Sequence, residues 1–135
     1  MKLKKHSKIL IGIVVAVLLL TGITAGYLQS YYHTDTQAVS AYQYKQNSDT
    51  KIQTKMLSDG SIVCEPENPA AGFIFYPGGK VETSAYEPLM QACAAQDILC
   101  VLVSMPFHLA VFDKNAADGI QEQYPQIDSW YIGGH

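Results

Sequence analysis

The apolar positions of this chain fall into one long unbroken run followed by a series of short ones. Between Ile9 and Leu28 the run ILIGIVVAVLLLTGITAGYL carries no charge. Its 20 residues, at about 1.5 Å each, predict a helix of roughly 30 Å, the thickness of a bilayer's hydrocarbon core. Further on, residues 51–57 and 61–65 alternate apolar and polar on either side of Ser58-Asp59-Gly60. That pattern predicts an antiparallel hairpin at a sheet edge, with Gly60 supplying the positive φ of the turn. Residues 72–76 and 98–104 are almost continuously apolar, as strands covered on both faces are, and residues 129–133 make a last strand. Between them, residues 84–96 predict a helix: Ser84 as its cap, Glu87 three positions on, Pro88 in the first turn, and Leu89, Ala92, Cys93 and Gln96 on one face. A second, weaker helix is predicted over 115–124, interrupted by Gly119 and ended by Pro125.

The order hairpin, strand, helix, strand, helix, strand predicts an α/β fold whose parallel strands are joined by right-handed crossover helices. The chain then divides into a basic segment (1–8), a transmembrane anchor (9–28), a stalk (29–50) with a short helix near 36–44, and an α/β domain (51–135). No internal repeat interrupts this plan.

Charge sets the topology. All nine basic residues are lysines; four of them precede residue 9, and all twelve acidic residues lie beyond residue 30. Lysines ahead of an apolar span stay cytoplasmic, which places the rest of the chain outside the cell membrane as a single-pass protein. Tyr27, Tyr31 and Tyr32 fall where an interfacial aromatic belt belongs. A signal peptide cleaved near Ile23-Thr24-Ala25, giving a secreted protein, is the alternative. The acidic body argues against nucleic acid as a partner. Cys64, Cys93 and Cys100 are odd in number and lack metal-ligand spacing, so no metal is expected; Cys93, on the apolar face of a predicted helix, and Cys100, inside a predicted strand, read as small buried hydrophobes.

In open α/β sheets ligands bind beyond the carboxyl ends of the strands, which selects three loops: 77–82, 105–113 and 133–135. Pro77-Gly78-Gly79-Lys80 follows the first parallel strand, where a glycine N–H can approach a substrate carbonyl, and Gly79 is the oxyanion-hole candidate. A plain β-turn is the bland reading. Neither phosphate-loop nor dinucleotide glycine spacing is present. Gly134-His135 after a strand is how a G-x-S-x-G nucleophile elbow begins, with the serine expected next. The loop from Met105 to Phe112 is apolar enough to line an acyl pocket or to lie under other parts of a larger protein. Lys80, Phe107 and Phe112 are the pocket candidates, whereas His108 precedes the nucleophile and is a poor candidate for the base. His6 and His33 carry no role.

The stretches Phe75-Tyr76-Pro77-Gly78-Gly79-Lys80-Val81, Tyr86-Glu87-Pro88-Leu89, Met105-Pro106-Phe107, Leu109-Ala110-Val111-Phe112 and Trp130-Tyr131-Ile132-Gly133-Gly134-His135 resemble membrane-anchored bacterial α/β-hydrolases related to dienelactone hydrolases. A weaker likeness reaches upstream to Tyr32-His33 and Ala38. The resemblance implies a Ser-Asp-His triad, hydrolysis of an ester, lactone or similar acyl bond in a small-molecule substrate, and no cofactor. His108 departs from the asparagine the resemblance leads one to expect. The 135 residues contain none of the triad, so this polypeptide is expected to be the N-terminal part of a hydrolase, inactive by itself and with a bare apolar edge on its last strand. A non-catalytic, membrane-tethered binding module is the alternative.

Overall fold

The computed structural model describes residues 5–46 and 51–135. Lys2 and Lys4 of the basic head, and the end of the expected stalk, lie outside the described residues. The chain divides into two compact units, Met1–Ser30 and Tyr31–His135.

The first unit is helix α1 (Lys5–Gln29), longer at both ends than the apolar run and long and apolar enough to cross a membrane. It buries none of its residues. The hydroxyls of Thr21 and Thr24 donate to the carbonyls of Val17 and Leu20, each at 2.8 Å. Both side chains thus satisfy their polar groups within the helix, as an apolar solvent requires.

In the second unit, helix α2 (Thr36–Gln46) starts where Asp35 Oδ1 accepts the N–H groups of Gln37 and Ala38. Strands β1 (Ile52–Met56), β2 (Ile62–Pro66), β3 (Ala71–Tyr76), β4 (Ile98–Leu102) and β5 (Trp130–Gly134) form one mixed sheet in the order β1-β2-β4-β3-β5. The hairpin forms as expected: β1 pairs antiparallel with β2, Gly60 has φ +87°, and Asp59 Oδ1 accepts the N–H of Ser61. β3 lies between β4 and β5 and is parallel to both. Among the described residues β5 has no second strand neighbour, and Tyr131 and Ile132 on it are exposed.

The period-two pleat sorts the apolar side chains into two layers. Val63, Ile74, Leu99, Val101 and Val103 face one side with Met105, Ile120 and Ile127. Ile62, Cys64, Phe75, Cys100 and Leu102 face the other, covered by Met90 and Ala94 of helix α3 (Glu87–Ala94).

Three local expectations need correction. Helix α3 begins at Glu87 rather than Ser84, because Thr83–Tyr86 is a 3₁₀ turn and the Ser84 hydroxyl is hydrogen-bonded 2.7 Å from Thr34 Oγ1 instead of capping. Its buried face is Glu87, Met90, Gln91 and Ala94, while Leu89 is exposed. Gln91 Nε2 donates to Glu87 Oε1 at 3.1 Å, and that mutual pairing lets two polar side chains face the sheet. The helix expected over 115–124 is a run of tight turns instead, with Asp118 N–H bonded to Asn115 O and Ile120 N–H to Ala117 O. Gly119, at φ +75°, leaves the right-handed helical region and breaks the ladder.

Cys64 and Cys100 are buried and opposite each other across β2 and β4; Cys93 on α3 packs against the same layer. Burial pushes the Cys64 thiol up from 9.0 to about 11 and the Cys100 thiol further in the same direction. The raised folded value means that this contribution to stability is full below the ordinary thiol pKa and is lost as pH rises through the folded one. Denaturant unfolding of the chain in detergent is therefore expected to give a lower midpoint at about pH 10 than at about pH 8. A variant with Cys64→Val and Cys100→Val should lose most of that difference; an unchanged difference would assign it to other groups.

Candidate functional site

Because β4 and β5 flank β3 on opposite sides, the connections leaving this part of the sheet diverge at the carboxyl end of β3. Such a switch point opens a crevice between the loops, and the segment that enters it here is Pro77-Gly78-Gly79-Lys80. The three loops singled out in the sequence meet there. Tyr76 is in register with Gly134, and the His135 N–H donates to Tyr76 O at 3.2 Å, so the end of β5 lies beside the glycine loop. The Lys80 N–H donates to His108 O at 2.7 Å, which joins the glycine loop to the loop after β4.

Small residues are required at this junction by the spacing. A side chain at Gly134 would begin 3.0 Å from Tyr76 O, and one at Gly78 would begin 2.5 Å from Tyr86 Oη and 2.7 Å from His135 Nδ1. The space above Gly78 is filled by a hydrogen-bonded bridge. Gly78 N–H donates to Tyr86 Oη at 3.1 Å, and Tyr86 Oη lies 2.7 Å from His135 Nδ1. With the imidazole proton on Nε2, the hydroxyl accepts from Gly78 and donates to His135, which satisfies all three groups. Tyr86 therefore ties the glycine loop to the end of β5.

Gly79, one residue on, is exposed, and no group among the described residues accepts its N–H. The Leu109 side chain lies 3.6 Å from where a Cβ on Gly79 would stand. Lys80 adopts φ 63°, and its carbonyl accepts the N–H of Tyr32 at 2.7 Å. Phe107 and Phe112 pack edge to face, 5.6 Å between ring centres, with both half-exposed.

Residues 31–34, expected as stalk, pair with the loop after β3. Tyr32 bridges Val81 in parallel fashion, Glu82 N–H donates to Tyr32 O, and Thr34 N–H donates to Glu82 Oε2 at 2.7 Å. That last bond, first among several causes, holds the Glu82 carboxyl below its ordinary range. His33 lies 3.7 Å from Glu82 Oε2, and the Tyr31 ring stacks on His108 with centres 4.0 Å apart. His33 thus belongs to the folded unit, against expectation. His108 Nδ1 is buried with no hydrogen-bond partner among the described residues.

Two of these residues carried a signal that pattern reasoning could not use. Tyr86 and Tyr32 stand in the quoted stretches of resemblance, but the contacts that give them a role span 49 residues in one case and join residue 32 to residue 80 in the other. No group of three or more metal-ligating side chains occurs among the described residues. A shallow concavity at the opposite edge, lined by Lys51, Gln53, Glu65 and Glu67, is lined largely by exposed charged and polar side chains and holds no nucleophile.

A sequence model described as the alpha/beta hydrolase family matches residues 72–135, from the second residue of β3 to the last residue of the chain. No curated protein and no solved structure matches the chain. Over the stretch that builds the glycine loop, β4, β5 and their connections, the chain is similar to the α/β-hydrolase family, and its fold is hydrolase-like.

Proposed function

We propose that this polypeptide is part of a membrane-anchored, extracytoplasmic serine hydrolase that cleaves an ester, lactone or similar acyl bond. The observation that carries the reading is the junction of two adjacent parallel strands: Tyr76, the residue before the glycine loop, is in register with Gly134, and its carbonyl accepts the His135 N–H at the end of β5. An acyl-transfer site needs that neighbourhood. A serine placed directly after His135 would attack the acyl carbon, and the electron pair displaced onto the carbonyl oxygen needs a fixed donor close by. The exposed N–H of Gly79 is the donor we assign. Lys80, Phe107 and Phe112 then line the approach to it, and Tyr86 holds loop and strand end together. The acid and base of the triad would come from chain beyond these residues, and no cofactor is needed for the chemistry.

The coding sequence should read beyond codon 135 into Ser-x-Gly. The polypeptide expressed from it should be labelled covalently by a fluorophosphonate, and the labelling should be lost on replacing that serine by alanine. A stop codon at that point, or an intact protein that takes no label, would favour the tethered binding module.

A further inference from the structure

We infer that the loop spanning residues 106–112 rests in the lipid interface and that the acyl substrate is an amphiphile held in the same bilayer. The substrate half of this inference rests on the hydrolase reading, and the membrane half on the reading of α1 as a membrane anchor.

From Pro106 to Phe112 the loop has no acidic residue and no lysine, and Phe107, Val111 and Phe112 on it are exposed, while Met105 before it is buried in the core. Phe107 and Phe112 are each 53% exposed, Val111 is 79% exposed, and the neighbouring Tyr32 is 75% exposed. Scattered exposed apolar residues are ordinary, but a contiguous set on one loop marks a contact surface. Its backbone shows that the exposure is built in. Phe107 and His108 sit at φ 53° and 56°, a left-handed conformation that a bulky residue adopts only when its surroundings force it. Here the forcing contacts are His108 N–H to Met105 O, Leu109 N–H to Pro106 O, and Lys80 N–H to His108 O. Core burial of Phe107 is not what this geometry achieves.

Connectivity names the occupant. The ring of Tyr31 stacks on His108, and Tyr31 follows Gln29, the last residue of α1, by two positions. Two residues of extended chain reach about 7 Å. Whatever the orientation of helix and domain, Tyr31, whose ring lies against His108 of the loop, is tethered within that distance of the last residue of α1, where an apolar span would leave the bilayer. Aromatic side chains partition to that depth, and Tyr27, Tyr31, Tyr32, Phe107 and Phe112 supply them. The same loop leads to the glycine turn: the Leu109 side chain lies 3.6 Å from where a Cβ on Gly79 would stand, and His108 O accepts the Lys80 N–H. A lipid-dissolved acyl group sliding past Phe107 reaches Gly79 without first crossing open water.

The test places a tryptophan at Val111 in the complete protein, reconstituted in phosphatidylcholine vesicles with and without bromine on the acyl chains, the Trp130 signal being subtracted. Emission from position 111 should fall at least about two-fold in the brominated vesicles, whereas a Glu67→Trp control at the opposite end of the sheet should not respond. An unquenched position 111 overturns the proposal, whether iodide reaches it (an aqueous loop) or not (a surface covered by other chain). Replacing Val111, which is not among the pocket-lining residues, by aspartate should lower turnover of a vesicle-dissolved long-chain ester at least about ten-fold and leave a water-soluble short-chain ester within about two-fold. Equal losses on both esters would overturn the substrate class. Failure of the wild type to hydrolyse either ester would overturn the hydrolase reading and the substrate class with it, while the quenching result still decides the membrane face.

Discussion

A Leu99→Ala chain is expected to unfold at a free energy about 2–5 kcal/mol lower than the wild type, the largest stability effect of any single truncation considered. Leu99 has no exposed surface and lies within β4, where Gly72 of β3 is its partner in register. It packs in the layer formed by Val63, Ile74, Val101, Val103 and Ile120. All five are β-branched and three of them, Val63, Ile74 and Val101, stand on strands, so their stiff side chains cannot swing into the space left behind. The cavity term therefore adds to the lost transfer energy. Against a total of roughly 5–15 kcal/mol for a domain, such a loss removes much of the margin. Leu89→Ala, on a helix position 47% exposed, should cost under about 1 kcal/mol. Chemical unfolding followed through Trp130 reads both. A Leu99→Ala cost no larger than that of Leu89→Ala would mean that this layer is not packed as a core.

The elements that sequence reasoning located best are those whose residues answer only to their own neighbours. The unbroken apolar runs became β3 and β4 within two residues of their expected ends, since a strand covered on both faces leaves no ambiguity of face. The hairpin followed from two short alternating runs on either side of Ser58-Asp59-Gly60. What misled was competition from distant partners. Ser84 has the residue type of a cap, yet its hydroxyl meets Thr34, 50 positions away. The expected face was Leu89, Ala92, Cys93 and Gln96, whereas the buried one is Glu87, Met90, Gln91 and Ala94: Met90 and Ala94 cover the sheet, and the hydrogen bond between Glu87 and Gln91 lets two polar side chains join them. Gly119 was noted as a weak point and proved to be a break, because a glycine free to take φ +75° does so where tertiary packing has no use for a helix.

The same division applies to the site. Gly78, Gly79, Gly134 and His135 could be singled out because strand ends are legible and ligand crevices lie beyond them. That the three loops touch follows from strand order, which α/β alternation only restricts. The strap at residues 31–34 was hidden for a different reason: a segment rich in Tyr, Ser and Thr without periodicity looks the same whether it is a free stalk or pairs through its backbone. Its bonds to Lys80 and Glu82 use main-chain atoms or a single carboxylate, and neither leaves a pattern in the sequence.

The bridge through Tyr86 yields the largest functional effect to be expected of one added atom. Gly78→Ala places a methyl 2.5 Å from Tyr86 Oη and 2.7 Å from His135 Nδ1, closer than heavy atoms tolerate. The tyrosine ring is not free to yield, because its hydroxyl is held by Gly78 N–H and by His135, and the ring packs 5.2 Å from Phe75. The glycine loop has to move instead, carrying the Gly79 N–H with it. Displacing one oxyanion donor costs about 10²–10³ in kcat, so Gly78→Ala should lower kcat of the complete hydrolase by roughly that factor with little change in KM. Tyr86→Phe removes the hydroxyl and strands the Gly78 N–H, which is expected to cost about 1–3 kcal/mol of stability or transition-state binding. The decisive comparison is the double variant. If the clash with Oη is what Gly78→Ala suffers from, removing Oη relieves it and releases the His135 ring from its hydrogen bond so that the ring can turn away from the methyl, and Gly78→Ala in the Tyr86→Phe background should lose far less than in the wild type. Additive losses would mean that the loop fails for another reason and that Tyr86 does not join it to the end of β5 in the working protein.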